Sequence, residues 1–168
     1  MQLLIVRHAV AVERETFAAT GKPDDLRPLT PDGRRKMRRI AKGIKSMVEH
    51  IDLLATSPLT RAEQTAQILA KAYGIEIGEV VEALRPDSPL QMFAEWARNH
   101  SPRSAITIVG HEPHLSELVT WLMTGASESR IALKKGGACF LSFDGAVGRA
   151  EGNLEWLATP SQLRRLAG

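Results

Sequence analysis

Two arginines and two histidines come directly or shortly after three short apolar segments of this 168-residue chain. They are Arg7 and His8 after segment 3–6, Arg61 after segment 53–56, and His111 after segment 105–109. In open α/β sheets, ligands bind beyond the carboxyl ends of the strands. If the three segments are neighbouring parallel strands, all four basic side chains converge on one crevice. Such a crevice favours an anion.

Arginine and histidine in this grouping indicate phosphate chemistry. The planar guanidinium group binds phosphate oxygens in pairs, so Arg7 and Arg61 are predicted to hold two non-bridging oxygens. Positive neighbours keep a histidine neutral, and neutral imidazole is the nucleophilic form. We therefore expect His8 to attack phosphorus, while His111 and the arginines stabilise charge on the transferring group. Neither a metal ion nor another cofactor is expected, because the guanidinium groups supply the positive charge.

The three apolar segments are predicted to be the central strands of a parallel sheet. They are nearly continuous apolar runs, which is typical of strands covered by helices on both faces. Two further strands are predicted at 138–143 and 154–158, with a glycine-rich turn between them. This pattern indicates a hairpin, and therefore an antiparallel pair, at one side of the sheet.

Four segments with helical periodicity alternate with these strands. They begin at Pro31, after Leu59, after Ser88 and near Leu115. Thr30 before Pro31 is a strong N-cap signal. Segment 9–29 has no clear periodicity, and we predict that it lies over the site, because long irregular segments in compact domains are usually functional. The alternation predicts an α/β fold with a mostly parallel sheet, in one domain over residues 1–168.

The composition fits an ordinary globular chain, with 43% hydrophobic and 24% charged residues. The apolar stretch 1–6 is too short for a secretory leader, and no stretch approaches the roughly 20 apolar residues of a membrane span. The lone cysteine, Cys139, cannot form an intramolecular disulfide. We therefore expect a cytoplasmic protein without a membrane segment.

A dense basic run lies in the first long predicted helix. It comprises Arg34, Arg35, Lys36, Arg38 and Arg39. The net charge is only +3, and no aromatic residues are interleaved with the run, so nucleic acid is not an expected partner. We interpret the run as a solvated helix face, with a docking surface for an acidic phosphoprotein as the alternative.

Three separated motifs together resemble the histidine phosphatase superfamily, the phosphoglycerate mutase-like proteins. They are Leu4-Ile5-Val6-Arg7-His8, Ser57-Pro58-Leu59-Thr60-Arg61-Ala62-Glu63-Gln64-Thr65, and Val109-Gly110-His111-Glu112-Pro113. The small size and the segment 27–33 resemble the short branch of SixA-type phosphohistidine phosphatases. The resemblance implies a three-layer α/β/α sandwich. It also implies that His8 is the phosphorylated nucleophile, that Arg7, Arg61 and His111 complete the phosphate pocket, and that Arg27 lends a further cation.

The sequence departs from the superfamily pattern at two points. Ala9 stands where glycine usually follows the nucleophile, a change that matters only if the backbone there needs a positive φ. The proton donor for the leaving group is also open, with Glu82 and Glu112 as the candidates. A weak acid favours N–P over alkyl O–P substrates, because imidazole leaves more easily than an alkoxide.

These observations predict a metal-independent phosphatase acting on phosphohistidine in a signalling or phosphotransfer protein. One alternative is a phosphomonoesterase that hydrolyses small metabolite or aryl phosphate esters. Another is a non-catalytic module that binds phosphorylated proteins without turnover. Zinc binding through His111 and His114 is not expected, because the i, i+3 spacing and Pro113 depart from the pattern of a zinc helix.

Overall fold

The computed structural model describes residues 1–100 and 104–168 and contains one six-stranded sheet. The strands are β1 (Gln2–Arg7), β2 (Leu53–Thr56), β3 (Glu79–Val80), β4 (Ala105–Gly110), β5 (Ala138–Ser142) and β6 (Asn153–Ala158). Their order is β3-β2-β4-β1-β5-β6. The first four are parallel, whereas β5 and β6 pair antiparallel to β1 and to each other. The predicted mostly parallel sheet with an antiparallel hairpin at one side is confirmed.

The helices lie on both faces of this sheet. They are α1 (Arg14–Ala18), α2 (Pro31–Met47), α3 (Thr60–Tyr73), α4 (Leu90–Arg98), α5 (His114–Thr124) and α6 (Pro160–Arg165). Alternate residues of β1 enter two separate cores: Leu3 and Ile5 pack with α4 and α5, whereas Leu4 and Val6 pack with α2, α3 and α6. A strand buried on both faces cannot have a polar side, which explains its continuous apolar sequence. The three-layer α/β/α arrangement is therefore confirmed.

The register of β1, β4 and β2 brings their carboxyl ends to one edge of the sheet. Arg7 at the end of β1 pairs with Gly110 at the end of β4, and Thr56 at the end of β2 pairs with Val109. The residues that follow each strand therefore emerge side by side. This level alignment is what places His8 near His111 in space.

The long helices begin and end largely where the local signals predict. The side chain of Thr30 accepts a hydrogen bond from the Gly33 N–H at 2.9 Å, capping α2. Gly74 and Gly125 end α3 and α5 with φ values of 71° and 80°. The apolar period of α2 continues in sequence to Ile51, but the helix ends at Met47 and Ile51 is buried from a loop.

Three short elements differ from the sequence expectation. Segment 9–29, predicted to be irregular, contains α1 and a 3-10 turn at Asp24–Leu26. The C-terminal helix α6 was not predicted, and it packs so closely on α2 that a Cβ on Gly43 would lie 1.8 Å from the Leu163 carbonyl oxygen. None of the helices in the described ranges combines the length and apolar character needed to cross a membrane.

Candidate active site

A cavity of about 230 Å³ lies at the carboxyl ends of β1 and β4. Six of the residues singled out from the sequence line it: Arg7, His8, Arg27, Arg61, His111 and Glu112. The cavity is also lined by Glu13, Arg14 and Lys135, which the sequence analysis did not select. Glu82 is not among the lining residues. Five cations and two carboxylates thus surround a space suited to an anion.

His8 is held in one orientation by the backbone that follows it. Its Nδ1 lies 2.7 Å from the carbonyl oxygen of Ala9. A carbonyl can only accept, so Nδ1 carries the hydrogen and Nε2 keeps its lone pair. The Ala9 N–H in turn donates to the Thr65 hydroxyl at 3.0 Å, which fixes this turn against α3. The arrangement leaves Nε2 available for attack on a bound group.

Alanine at position 9 is compatible with this turn. Among the described residues, the non-glycine residue with a positive φ is Ala150, so Ala9 does not adopt a conformation that requires glycine. Its side chain is buried and belongs to the same core cluster as Leu4 and Val6, beside α2. The departure from the superfamily pattern at this position therefore leaves the backbone of the site unstrained.

His111 follows β4 and faces His8 with 5.2 Å between the ring centroids. Its Nε2 lies 2.8 Å from the hydroxyl oxygen of Ser57, the residue that follows β2. That oxygen accepts the Leu59 N–H at 3.4 Å, so its own hydrogen is free to be donated to Nε2. Nδ1 of His111 is buried and has no hydrogen-bond partner among the described residues. In this arrangement Nδ1 carries a hydrogen that a bound oxyanion can accept.

In the sequence, Ser57 is one residue of a motif, and its residue type carries no individual signal of its role. Its position directly after β2, at the same sheet edge as His8 and His111, was the available signal. Its contact with His111 spans 54 residues of sequence, so no local pattern could reveal it.

Arg61 lies in the first turn of α3 and is 3% exposed. Its Nη1 donates to the Asp24 carbonyl at 3.1 Å and lies 3.2 Å from the Asp24 carboxylate. Its Nε has no acceptor among the described residues. Arg27 is also buried and donates from Nε to the same carboxylate at 2.7 Å. A single acidic side chain thus holds two guanidinium groups at the cavity wall.

Asp24 is a counterion of these two arginines that the sequence did not indicate. It comes from the 3-10 turn within segment 9–29. Burial alone would raise the pKa of Asp24, but the hydrogen bond from Arg27 and the charge of Arg61 bring this pKa below its ordinary value. The carboxylate therefore stays ionised. Segment 9–29 lies beside the site, as predicted, and supplies both Arg27 and its partner.

Arg7 is anchored by a different segment of the chain. Its Nη1 donates to the Leu133 carbonyl at 2.9 Å, and its Nε is buried without an acceptor among the described residues. The unpartnered Nε–H groups of Arg7 and Arg61 are unusual, because buried donors are almost always paired. A bound oxyanion would pair them.

Both facing histidines are neutral near pH 7. Burial is the largest cause that lowers the pKa of His8, to about 3, and Arg61 and Arg7 lower it further, although the hydrogen bond to Ala9 acts in the opposite direction. Burial likewise lowers the pKa of His111, with His8 and Arg61 adding to the effect. A neutral imidazole at position 8 is the form that can act as a nucleophile.

The two candidate proton donors have different surroundings. Glu112 lines the cavity, and its Oε1 accepts the Ser116 N–H at 2.9 Å. Burial is the main cause that raises the pKa of Glu112. Glu82 has a side chain that is 69% exposed and lies 2.7 Å from Nε of Arg85, outside the cavity lining. The structure therefore brings Glu112, but not Glu82, to the facing histidines.

The mixed sheet, its flanking helices and a cationic cavity at the carboxyl edge define a phosphoglycerate mutase-like α/β protein. The chain belongs to the histidine phosphatase superfamily, branch 1, whose family model matches residues 3–85. This agrees with the resemblance carried by the motifs around His8 and Arg61.

Two proteins are similar to this chain over most of its length. An uncharacterized protein from Picosynechococcus sp. is 34% identical over 142 residues, which covers 82% of each chain. The phosphohistidine phosphatase SixA from Escherichia coli strain K12 is 25% identical over 167 residues, 98% of this chain and 97% of SixA.

Solved structures share the fold. The structure of the protein histidine phosphatase SixA complexed with tungstate superposes with a TM-score of 0.83 and 23% identity, covering 97% of this chain and 99% of that one. A phosphoserine phosphatase from Entamoeba histolytica in complex with 3-phosphoglyceric acid gives a TM-score of 0.71 and 17% identity, covering 96% and 98%. The same architecture therefore occurs in phosphatases named for different substrates.

Proposed function

We propose that this protein is a metal-independent phosphatase that acts through a phosphoenzyme on His8, with protein phosphohistidine as its substrate. The observation that carries the proposal is the orientation of His8. Its Nδ1 is committed to the Ala9 carbonyl, and its Nε2 lone pair is available in a cavity with three buried or half-buried arginines. Membership of the histidine phosphatase superfamily supports phosphatase activity.

The proposed reaction has two steps at phosphorus. First, Nε2 of His8 attacks the phosphoryl group, the new N–P bond forms, and the bond to the leaving imidazole breaks with its electron pair. The departing nitrogen takes a proton from solvent or from Glu112. Arg7, Arg27 and Arg61 neutralise the equatorial oxygens, and Nδ1–H of His111 donates to one of them. Water then attacks phosphorus and gives up a proton to solvent or to the Glu112 carboxylate, the bond to Nε2 breaks with its electron pair returning to His8, and inorganic phosphate leaves.

The choice of phosphohistidine rests on the leaving group. An alkoxide must be protonated as it departs, whereas imidazole, whose conjugate acid has a pKa of about 6.5, leaves with little assistance. In this cavity Glu112 is the half-buried carboxylate near the histidines, and one of its oxygens is occupied by the Ser116 amide. A site with modest acid assistance suits an N–P bond. The full-length similarity to a phosphohistidine phosphatase supports the same choice.

A second candidate function is hydrolysis of small phosphate esters. The raised pKa of Glu112 favours it, because a carboxyl group that retains its proton at higher pH can assist an alkoxide leaving group. The fold is also shared with a phosphoserine phosphatase.

The test compares two peptides that differ only in the phosphorylated residue, one with phosphohistidine and one with phosphoserine. Phosphate release is followed by rapid quench with EDTA present. We expect kcat/KM for phosphohistidine to exceed that for phosphoserine by about 100-fold or more, which corresponds to about 2.7 kcal/mol of transition-state discrimination. Preference for phosphoserine would overturn the assignment of phosphohistidine as substrate and favour the second candidate function, hydrolysis of phosphate esters. Loss of activity in EDTA would overturn metal independence.

Glu112→Gln separates acid catalysis from the rest of the mechanism. Glutamine keeps the acceptor for the Ser116 N–H but cannot donate a carboxyl proton. We expect kcat/KM for an alkyl phosphate to fall by about 10²-fold, while the value for an aryl phosphate, whose leaving group needs no proton, changes by less than about threefold. Glu82→Gln is the matched control, since this exposed carboxylate lies outside the cavity, and it should match the wild type on both esters. Equal behaviour of the two variants on the alkyl ester would contradict the assignment.

A further inference from the structure

A second and larger cavity lies between α2 and α3 on the face of the sheet that they cover. It is a groove of about 460 Å³. Its cationic lining residues are Arg34, Arg38, Lys42 and Lys45 from α2 and Lys71 from α3. Ile68 and Ala72 give it an apolar part. We name it the α2–α3 groove.

The α2–α3 groove concentrates positive charge. Arg34, Arg38 and Lys42 follow one another at four-residue spacing, and like charges at i, i+4 destabilise a helix. Asp32 in the first turn of α2 is paired with Arg35 and Lys36, which do not line the groove. Among the described residues, no carboxylate lines it. This arrangement costs stability in the isolated chain, and an anionic partner would offset that cost.

The two ends of the groove are held by hydrogen bonds to the backbone. At the far end, Nζ of Lys45 donates to the Ala72 carbonyl at 2.9 Å and lies 5.4 Å from the centre of the Tyr73 ring. At the near end, Oε1 of Gln64 accepts the Leu29 N–H at 2.8 Å. The walls are therefore partly ordered before any partner binds, which lowers the entropic cost of binding.

The groove begins close to the catalytic cavity. Gln64 lies three residues after Arg61, less than one turn and about 5 Å along α3. The next residue, Thr65, accepts the hydrogen bond from Ala9 beside His8. From Arg34 to Lys45 the groove follows α2 for eleven residues, or about 16 Å. An extended peptide of about five residues covers this length.

We infer that the α2–α3 groove binds an acidic segment of the polypeptide that carries the phosphorylated residue. This inference rests on the proposed function and specifies its substrate class further. Arginine and lysine side chains along one line match the side-chain carboxylates of an extended acidic segment, and the apolar part of the groove accepts their methylene groups. Single-stranded nucleic acid fits less well, because none of the lining residues in the described part of the chain is aromatic, so bases have no ring to stack on.

The test uses two phosphohistidine peptides with the same core, one with a tail of Asp and Glu and the other with an uncharged tail of Ser and Gln. At low salt, we expect the acidic tail to raise kcat/KM of the wild type about tenfold, and about 0.5 M salt to remove most of this gain. The double variant Arg38→Glu/Lys42→Glu should lose the gain. Its hydrolysis of phosphoramidate, which has no tail, should equal that of the wild type.

The matched control is Arg35→Glu/Arg39→Glu. It makes the same charge change at the same spacing on α2, but neither residue lines the groove. We expect it to keep most of the acidic-tail gain. If both double variants lose the acidic-tail gain in kcat/KM equally, the gain depends on net charge alone. That result would overturn the inference that the groove binds the acidic segment specifically.

The possible failures can be told apart. If the wild type hydrolyses neither phosphoramidate nor the phosphohistidine peptide with the uncharged tail, the proposed function fails. If it hydrolyses phosphoramidate but gains nothing from the acidic tail, the groove inference alone is overturned. A third outcome is that oligo(dT) competes more strongly than poly-glutamate of equal charge and that this competition is abolished in Arg38→Glu/Lys42→Glu. That result would assign the groove to nucleic acid and would also overturn the inference of an acidic polypeptide segment.

Discussion

Replacement of His8 with alanine is expected to lower turnover of every phosphate substrate by about 10⁴-fold or more, because the nucleophile of a covalent mechanism has no substitute. The imidazole contributes the lone pair at Nε2, and His111, 5.2 Å away between ring centroids, uses Nε2 to contact Ser57. The arginines remain in His8→Ala, so phosphorylated substrate should still bind. The variant is thus expected to bind substrate without releasing phosphate.

Rapid-quench labelling with ³²P measures this result directly. The wild type should carry acid-labile, base-stable label at short times, as expected for an N-linked phosphoryl group, and His8→Ala should carry none. His50→Ala is the matched control, since this histidine has an exposed side chain paired with Asp52. It should be labelled like the wild type. Label retained in His8→Ala would contradict the assignment of His8 as the nucleophile. Absence of both label and turnover in the wild type would favour the non-catalytic binding module.

Replacement of Arg61 with alanine is expected to lower kcat/KM by about 10³-fold, mostly through kcat. Arg61 is 3% exposed, so little water screens the attraction between its guanidinium group and a transferring phosphoryl group. Loss of one preorganised donor of this kind costs about 10² to 10³ in rate. Arg61→Lys restores the charge without the planar fork, so we expect it to recover only part of the activity.

Stability measurements distinguish a functional role of Arg61 from a structural one. Its ion-pair partner among the described residues is Asp24, which keeps its 2.7 Å contact with Arg27 when Arg61 is removed. Burial and the charge of Arg27 both lower the pKa of Arg61, so this cation is not favourably placed. The thermal midpoint of Arg61→Ala should therefore equal or exceed that of the wild type.

Arg14→Ala is the control for Arg61. Arg14 lines the same cavity, but its side chain is 77% exposed and 3.9 Å from Asp24. Solvent screens such a charge, so its loss should change kcat/KM by less than about fivefold. If Arg61→Ala keeps more than a tenth of wild-type activity, Arg61 is not a principal phosphate ligand.

The sequence alone determined the main elements and four of the residues at the cavity. Buried parallel strands need continuous apolar runs, and the residues after such strands meet at one edge of the sheet. These two rules point to Arg7, His8, Arg61 and His111 from the sequence. Helix starts such as Thr30-Pro31 were also predicted, because N-caps and proline act within one turn of chain.

Only the tertiary structure decided which residues hold the cavity side chains in place and which candidate acid reaches the cavity. Asp24 binds Arg61 across 37 residues, and Ser57 contacts His111 across 54. Glu112 and Glu82 were equivalent as sequence candidates, but the fold half-buries the first in the cavity and exposes the second beside Arg85. The α2–α3 groove likewise depends on how α3 packs beside a basic helix. Local sequence signals describe short stretches of chain, whereas these contacts exist only after distant segments pack together.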